Sequence, residues 1–134
     1  MKAVFDTNVL VAAFAADGLC AKLLRRANAH EFQLFACPHL IGEFKKALRD
    51  KLDASGTEIA EALELLGGVA KIAEPPDPTK RPRACRDRDD DFVLACAVAS
   101  RVDYLVSGDK DLLILKEHEG IRIVSPRDFE LLFR

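Results

Sequence analysis

At 134 residues the chain is long enough to bury a core and short enough for one domain, read as 1–134. A composition of 49% hydrophobic and 31% charged residues is that of a soluble globular protein and excludes a disordered or fibrous chain. Twenty basic against 22 acidic residues leave a formal charge of −2, so any nucleic-acid binding must use local basic patches.

Lys2–Phe5 is the first predicted strand, because Ala3-Val4-Phe5 is a short apolar run ending in the turn formers Asp6-Thr7-Asn8. Residues 8–14 begin a helix and 19–29 form a second, amphipathic one. Residues 33–37 are the next strand. Pro38 then fits the first turn of a helix whose apolar positions are Leu40, Ile41, Phe44 and Leu48. A helix over 57–66 is expected to stop at Gly67-Gly68, before a third strand over 69–73.

Residues 74–88 carry Pro75, Pro76, Pro78 and Pro82 with Lys80, Arg81, Arg83, Arg86 and Arg88. Proline removes backbone donors, so this segment reads as a basic loop. Asp89-Asp90-Asp91 opens a helix to about Ser100, with acids at its positive end. Tyr104-Leu105-Val106 is the fourth strand, ending in Ser107-Gly108-Asp109, and Ile121–Val124 is the fifth. Ser125 caps a last helix with Pro126 at its first position. Strands separated by helices imply a parallel sheet covered on both faces.

Four acids occupy comparable places in this scheme. Asp6 follows strand one, Asp109 (with Asp111 close behind) follows strand four, Asp91 starts the helix before strand four, and Glu43 lies one turn into the helix after strand two. All strand C-termini of a parallel sheet share one edge, where ligands of open α/β sheets bind. Carboxylates gathered there would repel one another unless a cation intervened. Oxygen-only ligation selects Mg²⁺ or Mn²⁺, which suits phosphodiester hydrolysis by an activated water. A simpler reading competes at each acid. Asp6 could cap the next helix, Glu43 could be solvated beside Lys45 and Lys46, and Asp111 could be a turn residue.

Asn8 and Ser107 stand beside Asp6 and Asp109, suited to orienting carboxylates or metal waters from behind. Arg83, Arg86 and Arg88 are the candidate phosphate contacts, since their loop leads into Asp91. The faces formed by Lys22, Arg25 and Arg26 and by Lys45, Lys46 and Arg49 read as solvated surface. Eight Phe with one Tyr and no Trp read as core, not as a base-stacking platform. Cys20, Cys37, Cys85 and Cys96 show no zinc-type spacing and are expected to be reduced thiols of a cytoplasmic protein. No apolar run reaches the roughly 20 residues of a membrane span, so no membrane association is expected.

At these residues the chain resembles the PIN-domain ribonucleases, in particular the bacterial and archaeal VapC-like proteins classed as toxins of toxin–antitoxin pairs. The matching pieces are Val4-Phe5-Asp6-Thr7-Asn8-Val9-Leu10, Glu43, the run from Arg86 through Asp91 into Val93-Leu94-Ala95-Cys96-Ala97, and Tyr104-Leu105-Val106-Ser107-Gly108-Asp109-Lys110-Asp111-Leu112-Leu113. The resemblance implies a three-layer α/β/α sandwich with a central, mainly parallel sheet, and an acidic Mg²⁺ or Mn²⁺ site that cleaves RNA. The family's four acids fall on Asp6, Glu43, Asp91 and Asp109, with Asp111 also fitting the fourth. Asp6, Asp91, Asp109 and Asp111 are then the expected metal ligands. A small antitoxin protein is the partner the resemblance implies; a second copy of the chain is a further candidate that the sequence leaves open. Two other readings stay open: a metal-dependent binding module without turnover, and a haloacid-dehalogenase-like phosphatase. The phosphatase requires an Asp where this chain has Asn8.

Overall fold

β1 (Lys2–Phe5) buries Ala3, Val4 and Phe5 in succession. Successive strand residues face opposite sides, so a strand buried at every position is covered on both. The computed structural model describes residues 1–73 and 88–134, the first three of the second segment as helix only. The predicted basic loop, with Lys80, Arg81, Arg83 and Arg86, lies outside the described residues, as does Cys85. The Arg88 side chain is likewise outside them.

After β1 come α1 (Thr7–Ala15), α2 (Leu19–Asn28), β2 (Gln33–Ala36), α3 (Pro38–Leu52), α4 (Gly56–Val69) and β3 (Ala70–Ile72). The second segment adds α5 (Arg88–Ser100), β4 (Tyr104–Val106), α6 (Lys110–Leu113), β5 (Glu117–His118), β6 (Ile121–Val124) and α7 (Pro126–Leu131). The described strands form one six-stranded sheet in the order β3-β2-β1-β4-β6-β5. Every pairing is parallel except β5 with β6. This is the expected α/β/α sandwich with a mainly parallel sheet. From β1 the chain builds outward through β2 and β3, then returns to β1's other side with β4. The order therefore reverses between β1 and β4, and a crevice opens beyond their C-terminal ends.

The core is continuous across the sheet and α5, which packs on β1, β2 and β4. Phe129 of α7 meets Phe32 edge-on at 5.0 Å and Phe133 at 5.3 Å, and stands 6.1 Å from Phe5. Such T-shaped contacts add to area burial by placing ring edges on ring faces. Phenylalanine thus fills the core, as its frequency suggests.

Three expectations are corrected. α4 runs through Gly67 and Gly68 to Val69, because neither glycine takes the left-handed φ that ends a helix. A Ser55–Glu58 capping box fixes the helix start, and Ile59, Ala62 and Leu66 anchor its buried face. Those contacts outweigh the roughly 1 kcal/mol per glycine of helix propensity. Second, Ile121–Val124 is the sixth strand, since Glu117–His118 forms a short antiparallel hairpin with it. The turn uses Glu119 and Gly120, both at positive φ (49° and 82°), as two-residue hairpins require. Third, Cys37 and Cys96 are not free thiols. They form a disulfide between the N-cap of α3 and the middle of α5, with Cα atoms 5.9 Å apart. Cys20 is the free cysteine among the described residues.

Among the described residues no single helix is long and apolar enough to cross a membrane.

Candidate functional site

Asp6 is the first residue beyond β1 and is 5% exposed. Its backbone N–H still donates to the Val106 carbonyl at 3.0 Å, extending the ladder to β4. Its side chain does two jobs. Oδ1 accepts from the Val9 N–H at 3.0 Å and so caps α1. Oδ2 accepts from the hydroxyl of Ser107, which stands at the end of β4 and is fully buried. The capping role and the site role therefore coexist in one carboxylate. Its lone pairs exceed these two bonds, leaving capacity for a further ligand.

Asp109 follows by the same logic. The Ser107 Oγ accepts from the Asp109 N–H at 2.9 Å, which fixes the backbone of the turn after β4. Asp109 Oδ1 then accepts from the Asp111 N–H at 2.8 Å and caps the single turn of α6. Burial raises the pKa of Asp6, the Ser107 and Val9 hydrogen bonds oppose that rise, and the negative charge of Asp109 adds to it. The same Asp6 charge, after burial, raises the Cys20 thiol.

A cavity of about 290 Å³ opens beside these groups, between the N-terminus of α1 and one face of α3. Asp6, Asn8, Glu43 and Asp109 line it, so the sheet edge and α3 bring together three of the predicted acids. Glu43 shares this face with Leu40. Asp91 is 4% exposed in the first turn of α5, two residues before Val93, which lines the cavity. Asp91 and Asp111 are not lining residues. Ser107 bonds to the Asp6 carboxylate and the Asp109 N–H, and the Asn8 Oδ1 accepts from Lys51 Nζ at 3.0 Å.

His39, Lys46, Asp50 and Lys51 also line the cavity, and the sequence reading gave none of them a role there. Positions 39, 43, 46 and 50 recur at helical spacing, so the face was readable once Glu43 was taken as its reference. His39 also stacks on Phe92 of α5, with ring centroids 4.1 Å apart.

The donor set is all oxygen at the sheet edge, and Asp6 is a buried carboxyl that resists ionisation beside a second carboxylate. Both features suit a hard divalent cation. Among the described residues no three such side chains are gathered closely enough to hold an ion as they stand. Mg²⁺ does not require that, because it keeps several waters and uses one or two carboxylates.

Fold and site define an α/β/α protein with a carboxylate-lined crevice at the switch point of its sheet. The chain belongs to the PIN domain family, whose profile matches residues 2–111. Solved structures that share the fold include the following two. VapBC2 from Rickettsia felis, determined bound to a DNA fragment from their promoter, is 13% identical with a TM-score of 0.66, over 93% of this chain and 98% of that one. PAE2754 from Pyrobaculum aerophilum is 19% identical with a TM-score of 0.63, over 98% of this chain and 88% of that one. No curated protein matches in sequence.

Proposed function

We propose that the chain is a divalent-metal-dependent endoribonuclease and the toxin of a toxin–antitoxin pair. The observation that carries the reading is the pairing of Asp6 and Asp109 at adjacent strand ends, around one cavity with Glu43. PIN-family membership supports a nuclease. The VapBC2 likeness supports a small antitoxin as partner. We assign Asp6, Asp91, Asp109 and Asp111 to Mg²⁺ or Mn²⁺ and Glu43 to the reacting water, with RNA phosphates held by Arg83, Arg86 and Arg88. When bound, such a cation supplies positive charge against the scissile phosphate and an activated water. Asp6, pinned by Ser107 and Val9, would hold such a cation without reorganising. The reading places the protein with its RNA in the cytoplasm. There the Cys37–Cys96 bridge is shielded by burial, with the two residues 0% and 1% exposed.

The test is cleavage of single-stranded RNA by the purified protein with Mg²⁺ or Mn²⁺. EDTA should stop it, and an Asp6→Ala/Asp91→Ala double variant should lack it. Cleavage persisting in that variant would show a contaminating nuclease or a metal-free route.

A further inference from the structure

The lysines at the cavity rim have no part in the proposed metal chemistry. Lys46 and Lys51 stand on the same α3 face as Glu43 and Asp50, at the cavity that Asp6 and Asp109 close from the sheet. The Lys51 Nζ donates to the Asn8 Oδ1 at 3.0 Å, joining the last turn of α3 to the first turn of α1. An ammonium group only donates. The amide of Asn8 is therefore fixed with its oxygen toward Lys51, and its other end, Nδ2, carries two donors and no lone pair. The pair is thus a cation coupled to an oriented amide, two residues from Asp6.

Charge gives the pair a purpose. Four carboxylates line the cavity against two lysines, so one divalent cation brings the lining to neutrality. An acid pocket without those lysines would repel a polyanion even when loaded. We infer that Lys51, through Asn8, is a substrate-positioning residue: the Lys51 ammonium and the Asn8 amide hold a phosphate of single-stranded RNA next to the scissile one, with Lys46 as a second cationic contact. This rests on the ribonuclease reading above. The rival account is a surface tie between two helices, which is worth little in stability and nothing in substrate binding.

The experiment compares the parent with Lys51→Met, Lys51→Arg, Asn8→Ala and the Asn8→Ala/Lys51→Met double variant. The readouts are RNA cleavage with Mn²⁺, fluorescence anisotropy of a single-stranded oligonucleotide at several salt concentrations with Ca²⁺ in place of Mn²⁺, and Mn²⁺ titration calorimetry. Lys51→Met is expected to raise KM about tenfold with kcat changed less than threefold. It should lower the salt slope of RNA binding by about one, the loss of one phosphate contact. Mn²⁺ affinity should stay within about twofold, and Lys51→Arg should restore most of KM. The double variant should be no worse than the poorer single variant, since the two side chains act as one unit. Parent-like KM and salt slope in Lys51→Met overturn the inference while leaving the ribonuclease standing. A parent that binds the oligonucleotide through Lys51 but cuts nothing overturns the ribonuclease and leaves the phosphate site. A parent that neither binds nor cuts overturns both.

Discussion

The Ser107 hydroxyl donates to the Asp6 carboxylate across 101 residues of sequence, and the same oxygen accepts from the Asp109 N–H. One buried side chain thereby holds the Asp6 carboxylate and the Asp109 backbone at the crevice. Ser107→Ala leaves a buried carboxylate oxygen and a backbone N–H with one partner fewer each. The expected cost is about 1–3 kcal/mol in urea denaturation at neutral pH. The cost should shrink at acid pH, where Asp6 is neutral and needs the hydroxyl less. A cost that stays constant with pH would mean that Ser107 acts through packing alone.

Asp6 itself should destabilise the metal-free fold at neutral pH. Burial holds its pKa above the ordinary value, with the charge of Asp109 adding to it. A carboxyl raised in the folded state contributes stability that is fully present below its unfolded pKa. That stability is lost as pH rises through the folded value. Asp6→Asn removes the charge, so it should melt roughly 3–5 °C above the parent at pH 7 without metal, for a gain of about 1 kcal/mol. The gap should close as pH falls through the carboxylate range. In Mn²⁺ titrations both Asp6→Asn and Asp91→Asn should bind far more weakly. Unchanged affinity in both would remove the shared metal site.

The sheet edge was legible because its logic is local. Ala3-Val4-Phe5 and Tyr104-Leu105-Val106 are apolar runs that end in Asp or in Ser-Gly-Asp, and a parallel sheet puts both ends on one edge. On α3 the cavity face of His39, Lys46 and Asp50 follows from Glu43 by helical spacing, but the contact that Lys51 makes across to α1 does not. Lys51 pairs with Asn8, 43 residues away, only once α3 is packed against α1. The Cys37–Cys96 bridge was missed for a similar reason, since nothing in their spacing shows α5 lying across β2. At Gly67-Gly68 the propensity signal was real but weaker than the burial of Leu66.

The bridge makes a stability prediction. It joins positions 59 residues apart and ties α3 to α5, the helices of Glu43 and Asp91. Cross-linking a loop of that length restricts the unfolded chain by roughly 2–4 kcal/mol. A Cys37→Ala/Cys96→Ala variant should therefore unfold at lower urea than the oxidised parent. Dithiothreitol added to the unfolded parent should bring the two midpoints close together. A parent midpoint indifferent to reduction in the unfolded state would show that the bridge adds nothing.

The last prediction concerns the docking of α7 on α2. Glu130 is 3% exposed and is held by Arg26, whose Nε donates to Oε1 at 2.6 Å. Arg26 also pairs with Glu31 at 2.8 Å and lies over the Phe133 ring at 4.8 Å. The Arg26 hydrogen bond lowers the pKa of Glu130 against the opposing effect of burial. A carboxyl lowered in this way contributes stability above its unfolded pKa and loses it as pH falls through the folded value. The two partners are not equivalent, because removing Arg26 leaves the buried Glu130 carboxylate with Lys22 at 3.8 Å and without its closest hydrogen-bond donor, whereas removing the charge of Glu130 leaves Arg26 with Glu31. Arg26→Met should therefore lower the melting temperature at pH 7 more than Glu130→Gln does. An Arg26→Met/Glu130→Met variant should recover part of the loss. The deficit of Arg26→Met should also narrow in acid, once Glu130 takes up its proton. A deficit in Arg26→Met that is constant with pH, with none in Glu130→Gln, would show that packing against Phe133, and not the ion pair, joins α2 to α7.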